Sequence, residues 1–476
     1  MKKILPVILS ILIFTSVFVF VILRNPDNNK QLIQLSPKNY LYKDKYGETK
    51  IYDSKDVSTE AYVTNIRVNE TGGVSEPKII SNPKNSSKLA LSANDFLIKE
   101  NYARIFVSDD AGADWKQKEI PLSPKFKQST YSDPWIDYDT EGNIFFVAIQ
   151  TDALENGREA ICLAVSYDDG NTWRNDFNFV DHNNKENIHM DRPKIYVEKN
   201  SRGKNSIYVS WLEIKGIKTF IMFSKSTDGG NTFTPPVSID RNRVEFCSMT
   251  SNSNGELFLV YFKDEDNISI RKSADGGDHW GKTFSTHYFD PSGSISEDQY
   301  LIKTPSGKGI RINSEPAIVN SKSDDLLMTY SAAGEDSDLS DVYFTRLKKN
   351  SMEFTTPVRV HSDRTLNDQF LPSITVDGSD NIYVLYQDSR NDSNNIFTET
   401  YVSVSTDGGL TFMDQKLSTK NFNPCLVAID GYIGDYNSCI VSDDKLIGVW
   451  TDGRNNNLDL YTGMFDVNEF IKNKNH

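Results

Sequence analysis

Residues 226–233, STDGGNTF, belong to a set of five similar octapeptides that decide the fold of this chain. The other four are SDDAGADW from Ser108, SYDDGNTW from Ser166, SADGGDHW from Ser273 and STDGGLTF from Ser405. All five share Ser, any residue, Asp, any residue, Gly, two further residues and then Trp or Phe. The Asp carboxylate can accept hydrogen bonds from nearby backbone amides, the Gly permits a positive φ, and the aromatic ring packs the turn. The pattern therefore predicts a β-hairpin turn that recurs along the chain.

The spacing of these octapeptides, which have the pattern of Asp-boxes, indicates a repeat with one degenerate copy. Their shared Asp residues stand at positions 110, 168, 228, 275 and 407, so the steps are 58, 60, 47 and 132 residues. The last step is close to two repeats. We expect the missing turn in FTRLKKNSMEFTTP, from Phe344, where a strand and a following FTTP remain but the Asp and Gly do not.

A second repeated element precedes each turn and consists of a short β-rich run, a turn and another β-rich run. The clearest copies are DPWIDYDTEGNIFFVAI, RPKIYVEKNSRGKNSIYVSW and LPSITVDGSDNIYVLYQD. Aligned at the proline or its equivalent, the copies stand at positions 77, 134, 193, 247, 316, 372 and 436, with steps of 57, 59, 54, 69, 56 and 64. Each of the seven units has room for four strands, which is the makeup of a propeller blade.

The two ends of the repeat predict how the ring closes. The last unit runs out after three strands, near Phe465, and EAYVTNIRV at residues 60–68 is a strand without a unit of its own. An N-terminal strand that completes the final blade would remove an exposed sheet edge. The predicted fold class is therefore all-β, a β-propeller of seven blades closed by the N-terminal strand. Six blades is the alternative if residues 61–90 only lead into the ring.

The N-terminal region has the pattern of a membrane anchor. Residues 4–23 are an uncharged apolar run of 20 residues preceded by two lysines. This length just spans a bilayer as a helix, and the lysines favour a cytoplasmic N-terminus. We therefore expect a transmembrane signal-anchor helix at 1–24, a polar stalk at 25–58, the propeller at 59–468 outside the cytoplasm, and a polar tail at 469–476. Cleavage of the N-terminal segment, which would release a secreted protein, is the alternative.

Charge and cysteine usage narrow the classes of partner. The 476 residues carry a formal net charge of -14 with a pI near 5.0, and this field repels phosphate backbones, so nucleic acid is not an expected partner. Four cysteines in so long a chain do not make a disulfide framework, although Cys425 and Cys439 remain open as a pair. No CxxC motif, Cys/His cluster, phosphate loop or dinucleotide fingerprint is present, so we expect neither a metal nor a cofactor.

One face of the predicted ring collects charged residues. In a four-stranded blade, the loops into the first strand and the loops between the second and third strands surround the mouth of the central channel. The loops into the first strands carry Asp133, Asp191, Arg192, Glu315, Asp368, Asp435 and Tyr436. The second-to-third loops add Glu213, Asp264, Asp388, Arg390, Asp452 and Arg454. YQDSRND and WTDGRNN repeat one Asp and one Arg at the same offset, so structural Asp–Arg pairing at blade junctions is as good an interpretation as a binding site.

The stretch DPSGSISEDQYLIKTPSGKGIRINSEP, residues 290–316, makes one repeat step longer than its neighbours. Extra loop length over the mouth is often functional, but longer surface loops are also tolerated at a low entropic cost. Both interpretations of this insertion stay open.

The repeated octapeptides on a propeller, spread over residues 60–466, resemble the sialidase (neuraminidase) superfamily of bacterial BNR-repeat proteins. The resemblance implies three arginines that clamp a substrate carboxylate, a Tyr nucleophile backed by a Glu, and an Asp acid/base. A Tyr nucleophile suits a substrate whose own carboxylate would repel a carboxylate nucleophile, and the planar fork of Arg binds carboxylates bidentately. The residues implied are Arg192, Arg390 and Arg454 with Arg311 as a spare, Tyr436 or Tyr432 as nucleophile, Glu315 as its partner, and Asp133 or Asp191 as acid/base.

Three functional hypotheses follow. The first is a membrane-anchored, sialidase-like propeller that hydrolyses terminal acidic sugars of a glycan. The second is a propeller that binds a glycan or another ligand without catalysis, which the absence of the family's Arg-Ile-Pro signature favours. The third is a cell-envelope scaffold or assembly factor with a protein partner, which the predicted anchor and stalk favour.

Overall fold

The structure is a computed structural model of the whole chain. It describes residues 39–43, 49–53, 63–96, 103–120, 129–152, 158–174, 178–183, 187–199, 206–264, 266–286, 288–296, 299–303, 309–312, 314–334, 339–351, 353–427 and 431–474. The predicted anchor at 1–24 lies outside these ranges. Within them, no helix is both long enough and apolar enough to cross a membrane. The segment predicted as a stalk contains an antiparallel pair of strands, β1 (Asn39–Lys43) and β2 (Thr49–Asp53).

Seven sheets of four antiparallel strands form the blades of a propeller, as the repeat predicted. The first strand of the propeller, β3 (Thr64–Arg67), belongs to blade 7, whose other strands lie at the end of the chain. Blade 1 consists of β4 (Val74–Asn82), β5 (Asn85–Asp95), β6 (Ala103–Ser108) and β7 (Lys116–Lys118). Blade 2 consists of β8 (Ser129–Tyr138), β9 (Ile144–Asp152), β10 (Glu159–Ser166) and β11 (Asn178–His182). Blade 3 consists of β12 (Ile188–Val197), β13 (Ile207–Lys215), β14 (Lys218–Ser226) and β15 (Val237–Arg241).

The second half of the ring contains one insertion. Blade 4 consists of β16 (Val244–Ser251), β17 (Leu257–Lys263), β18 (Asn267–Ser273) and β19 (Phe284–Ser285). The insertion forms a small sheet of β20 (Ser294–Ser296), β21 (Gln299–Lys303) and β22 (Gly309–Arg311). Blade 5 consists of β23 (Ala317–Asn320), β24 (Leu326–Ala332), β25 (Asp341–Leu347) and β26 (Val358–Arg359). Blade 6 consists of β27 (Gln369–Val376), β28 (Ile382–Asp388), β29 (Glu399–Ser405) and β30 (Met413–Lys416).

Blade 7 closes the ring with strands from both ends of the propeller. A 3-10 turn (Pro424–Leu426) precedes its strands β31 (Ser438–Ser442), β32 (Lys445–Asp452) and β33 (Asp459–Asp466), and helix α1 (Val467–Lys474) follows them. The fourth strand is β3, which pairs antiparallel with β33. The predicted closure by the N-terminal strand is therefore confirmed, and the ring has seven blades rather than six.

The first strand of each blade lines the central channel. Successive first strands contact one another all the way round, in the order β4, β8, β12, β16, β23, β27, β31 and back to β4. The hydrophobic core lies between blades: Phe146 and Trp173 of blade 2, for example, pack with Ile80 and Val107 of blade 1. All four cysteines are buried and none of them forms a disulfide, so Cys425 does not pair with Cys439.

The five octapeptides each join the third and fourth strands of a blade. In the copy from Ser226, the Ser hydroxyl donates to Asp228 at 2.7 Å, and Asp228 accepts from the backbone amide and the hydroxyl of Thr232 at 2.9 and 2.7 Å. Blades 5 and 7 do not have this turn. Blade 5 lacks it in the segment predicted from Phe344, and in blade 7 the third and fourth strands come from opposite ends of the propeller. Third-to-fourth turns lie on the face opposite the second-to-third loops, so the octapeptides stand away from the mouth.

A repeated bulge shapes the first strands at the mouth. In five blades the ladder slips by one residue or more at the start of this strand, and the residue at the slip has a positive φ. These residues are Glu76, Asp133, Arg192, Phe246 and Leu371, with φ between 43° and 58°. In four of the five a proline follows, which cannot donate to the ladder. Bulges re-aim side chains, and strained backbone of this kind clusters at functional sites.

The carboxylate in these turns should stabilise the blade to which it belongs. Asp110 accepts hydrogen bonds from the Ser108 hydroxyl at 2.8 Å and the Asp114 amide at 2.9 Å. We expect Asp110→Ala to lower the free energy of unfolding by about 1 kcal/mol, because both donors lose their partner. The hydrogen bond from the Asp114 backbone lowers the pKa of Asp110, so this contribution is present at neutral pH and is lost as the pH falls through the lowered value.

Urea unfolding at neutral pH and again in acid measures this difference. Asp109→Ala is the matched control, since it removes the same charge from the same turn and Asp109 only meets Lys116 at 3.6 Å on the surface. Equal losses in the two variants would contradict a specific role for Asp110.

Candidate functional site at the channel mouth

Two ion pairs cross the channel between blades that are not neighbours. Arg192 of blade 3 contacts Asp435, at the start of blade 7, at 2.9 Å. Lys194 of blade 3 contacts Glu315, at the start of blade 5, at 2.6 Å. These four charged groups of the mouth therefore meet across the channel.

Asp435 is the centre of a charged group, here named the outer cluster, that also contains Asp191, Arg192 and Arg311. Its Oδ2 atom accepts from Nη2 of Arg192 at 2.9 Å and from Nη2 of Arg311 at 2.6 Å. Arg192 also contacts Asp191 at 3.0 Å, and its guanidinium lies 4.0 Å from the ring centre of Phe246. Two guanidinium groups thus enclose a single carboxylate oxygen, which is how arginines bind a carboxylate.

The insertion supplies one of these arginines. Arg311 ends β22, and its backbone amide donates to the carbonyl of Gly431 at 3.0 Å, which ties the small sheet to blade 7. The guanidinium lies 5.2 Å from the ring centre of Tyr432. The insertion that lengthens this repeat step therefore contributes Arg311 to the mouth.

A chain of hydrogen bonds runs beside these arginines. The Tyr432 hydroxyl donates to Oε1 of Glu76 at 2.7 Å, and the Asn94 side-chain amide donates to Oε2 of Glu76 at 2.5 Å. The same amide nitrogen donates to Oδ1 of Asp133 at 3.1 Å, and the carbonyl oxygen of Asn94 accepts from the Asp133 backbone amide at 2.8 Å. Tyr432, Glu76, Asn94 and Asp133 therefore form one continuous network from blade 7 through blade 1 to blade 2.

Both carboxyl groups of this network have raised pKa values. Burial raises the pKa of Asp133 well above its usual range, and the charges of Asp191 and Glu76 raise it further. Burial, followed by the charge of Asp435, also raises the pKa of Glu76, against the hydrogen bond from Tyr432. Asp133 can therefore donate a proton in a pH range where an exposed Asp is already ionised.

A second layer of side chains lies further along the first strands, around Lys194. Nζ of Lys194 lies 3.3 Å from the ring centre of Trp135 and 4.2 Å from that of Tyr436, and the two rings meet edge to face at 5.2 Å. Lys78 lies 5.0 Å from Trp135 in the same layer. Lys194, Glu315 and Tyr436 are all buried. Glu315 pairs with Lys194 here, whereas the tyrosine–glutamate pair of the mouth is Tyr432 with Glu76.

The remaining predicted arginines hold their own blades together. Arg390 contacts Asp388 at 2.6 Å and Asp414, in the fourth strand of the same blade, at 2.6 Å. Arg454 contacts Asp452 at 2.6 Å and donates to Asn65 on β3 at 3.2 Å. The structure does not bring either arginine to Asp435.

This pairing is a repeated feature of the second strands. In four blades the second strand ends on an Asp that pairs with an Arg of the following loop or third strand. The pairs are Asp95 with Arg104, Asp152 with Arg158, Asp388 with Arg390, and Asp452 with Arg454. YQDSRND and WTDGRNN therefore contain structural Asp–Arg pairs, but each pair lies within one blade and not at a blade junction as expected.

Sequence reasoning placed Arg192, Asp133 and Asp191 in the mouth and kept Arg311 and Tyr432 as reserves, and the structure groups these five. It missed Glu76 and Asn94. A signal for Glu76 was present, because SEP at residues 75–77 has the same form as SDP at 132–134 and SEP at 314–316. Asn94 carries no such signal, since it lies inside β5. In the part of the chain that the structure describes, no group of three metal-ligating side chains is positioned to hold a metal ion.

Comparison with known proteins finds only distantly similar structures. No protein-family model matches the chain, and no curated protein sequence matches it. An α-L-arabinanase from Penicillium chrysogenum, bound to arabinobiose, is similar with 12% identity and a TM-score of 0.46, over 88% of this chain and 99% of that one. An α-L-arabinofuranosidase from Fusarium graminearum has 12% identity and a TM-score of 0.45, over 86% and 99%. A sialidase from Streptococcus pneumoniae has 11% identity and a TM-score of 0.43, over 69% and 68%.

Sialidases are thus among the similar structures, as the octapeptide pattern led us to expect, together with arabinan-degrading enzymes. Likeness at this level decides nothing about the site. The strand order and pairing of the chain itself establish the propeller.

The structural assignment of Arg390 can be tested by its removal. Arg390→Ala leaves the carboxylates of Asp388 and Asp414 in the blade without their cation, so we expect the free energy of unfolding to fall by about 3 kcal/mol. Urea unfolding checks this. Arg364→Ala is the control. It removes an exposed arginine of the loop between β26 and β27 and should change stability by less than about 0.5 kcal/mol. A loss in Arg390→Ala no larger than in the control would overturn the assignment.

Proposed function

We propose that the propeller acts on glycans and hydrolyses the glycosidic bond of a terminal acidic sugar at the mouth of the channel. The observation that carries this proposal is the hydrogen-bonded network of Tyr432, Glu76, Asn94 and Asp133 beside Arg192 and Arg311. The network supplies a nucleophile with its base and a carboxyl group that retains its proton. Two arginines close to it supply donors for a carboxylate.

The proposed reaction has its nucleophile, Tyr432, at one end of the network and its acid/base, Asp133, at the other. Tyr432 attacks the anomeric carbon while its phenolic proton passes to Glu76, and Asp133 gives its proton to the glycosidic oxygen as the bond to the leaving group breaks. Asp133 then takes a proton from the water that attacks the glycosylated tyrosine. The Tyr432 oxygen leaves and recovers its proton from Glu76. The anomeric configuration is retained because the sugar is displaced twice.

Asp435 explains why the sugar should be acidic. Its carboxylate oxygen accepts from Arg192 and Arg311, and a substrate carboxylate that displaced it would meet the same two donors. Asp435 neutralises the arginines, which a buried pair of cations requires.

Loss of turnover in defined variants is the test. We expect the full chain in mild detergent to cleave fluorogenic sialosides. Asp133→Asn and Tyr432→Phe should each lower kcat/KM by about 100-fold or more, since each removes a group that moves a proton or forms a bond. Because Asp133 must be protonated to act as an acid, and because its pKa is raised, kcat/KM should hold at pH values that ionise an ordinary Asp and fall only above the raised pKa.

Two conservative controls separate this from general damage to the mouth. Asp264→Asn changes an exposed carboxylate of the same face, and Tyr436→Phe removes the hydroxyl of the other candidate tyrosine, so both should keep most of the activity. Neutral glycosides, including arabinofuranosides, belong in the same panel. Turnover that survives Asp133→Asn, or that prefers neutral sugars, would contradict the proposal.

A non-catalytic, glycan-binding propeller is the second candidate function. The observation that favours it is that the charged groups of the mouth already have partners within the chain, with Asp435 between the two arginines and Glu315 on Lys194. A folded protein that binds sialosides without cleaving them at any pH would establish this candidate in place of the first.

We also propose that residues 4–23 anchor the chain in the membrane with the propeller outside the cytoplasm, because this run is long and uncharged enough to span a bilayer. The full chain should sediment with membranes and resist an alkaline wash, and a chain that starts at residue 59 should not. If expression of the full chain instead gives a soluble protein with a shortened N-terminus, the N-terminal segment is cleaved.

A further inference from the structure

A separate pocket opens on the mouth face between blades 3, 4 and 5, with a volume of about 200 Å³. Ile217, in the turn between β13 and β14, stands on one side, and Phe246 and Phe262 of blade 4 stand on another. Ser314 of the insertion and Ser331 of β24 complete the wall. Three blades and the insertion therefore each contribute to one concave surface.

Three phenylalanine rings line this surface. Phe246 meets Phe262 with ring centres 6.3 Å apart, and Phe262 meets Phe289 at 6.0 Å, in both cases edge to face. An apolar protein cavity of about 150 Å³ is large enough to take up benzene. The pocket thus has the size and the walls to hold one six-membered ring against aromatic side chains.

The pocket also has an unsatisfied hydrogen-bonding group. The hydroxyl of Ser331 is buried without a hydrogen-bond partner, and the residue is only 6% exposed. Ser292, which lines the same pocket, instead accepts from Ser340 at 3.0 Å. A buried hydroxyl without a partner is costly, so an occupant that offers a hydroxyl group would satisfy Ser331.

Phe246 lies between the pocket and the outer cluster. One side of Phe246 lines the pocket, and the guanidinium of Arg192 lies 4.0 Å from the centre of the same ring. The charged residues that line the pocket are one cation and one anion, Arg243 and Glu245. The pocket is therefore close to the outer cluster, and its own charged side chains balance.

We infer that this pocket binds an uncharged sugar ring, namely the unit to which the terminal sugar in the mouth is linked. The apolar face of the ring packs on Phe246 and Phe262, and one ring hydroxyl pairs with Ser331. The link to a terminal sugar rests on the proposed function, whereas binding of a neutral ring to the pocket does not.

The test measures binding apart from hydrolysis. The full chain carrying Asp133→Asn is titrated with methyl glycosides of galactose, glucose and N-acetylgalactosamine, and with benzyl alcohol as an apolar ring of similar size, by saturation-transfer NMR. We expect at least one methyl glycoside to bind, and Ser331→Ala to weaken it about fivefold through loss of one hydrogen bond. Phe262→Leu should weaken it as well. Tyr167→Ala, which removes an exposed aromatic side chain on the opposite face, should leave the affinity unchanged.

Each outcome decides between the two proposals. If benzyl alcohol binds and no methyl glycoside does, the inference is overturned even when sialosides are hydrolysed. It is also overturned if a methyl glycoside binds and Ser331→Ala leaves the affinity for that glycoside unchanged. If methyl glycosides bind with the expected dependence on Ser331 and Phe262 but no sialoside is cleaved, the pocket assignment holds and the proposed hydrolysis fails.

Discussion

The pairing of β3 with β33 is the constraint on which the rest of the molecule depends. Thr64–Arg67 lies in register with Tyr461–Met464, so the strand that begins the propeller completes the blade that ends it. Asn65 extends this link to blade 6, since it donates to the carbonyl of Leu417 at 2.9 Å and accepts from the Thr419 amide at 2.7 Å. This pairing covers the edge of β33, so blade 7 has four strands like the other blades.

Closure is also what assembles the mouth. Arg192 and Asp435 are 243 positions apart, and Glu76 and Tyr432 are 356 positions apart, yet each pair is within hydrogen-bond distance. Neither pair could form in an open array of blades. The buried charges in turn need these contacts, because a carboxylate or guanidinium without a partner in such a place is strongly destabilising. The ring and its charged cluster therefore stabilise each other.

The fold was predictable from the sequence because its evidence repeats. Five octapeptides and seven strand-turn-strand units report the same local geometry, and the orphan strand at residues 60–68 reported the closure. The site was predictable only in part, because convergence across a channel leaves no trace in spacing. Arg390 and Arg454 looked like site residues for the same reason that they are structural: the pairing that holds a blade together recurs from blade to blade.

Three positions of the site share one local feature that the sequence carries. Glu76, Asp133 and Arg192 each precede a proline at the start of a first strand, and each has a positive φ at a bulge. A proline cannot donate to the ladder, so the pattern of an acidic or basic residue before proline marks where the strand turns a side chain toward the mouth. Which of these side chains meet could be learned only from the closed ring.

The central claim is that Tyr432 is the nucleophile of a glycosidase, and mass spectrometry of the intact chain, quenched in acid during turnover of a fluorogenic sialoside, tests it most directly. The account predicts a fraction of the protein heavier by one sugar unit, with the addition on the peptide that contains Tyr432 and absent in Tyr432→Phe. Turnover without any such adduct, accompanied by a product of inverted anomeric configuration, would contradict it.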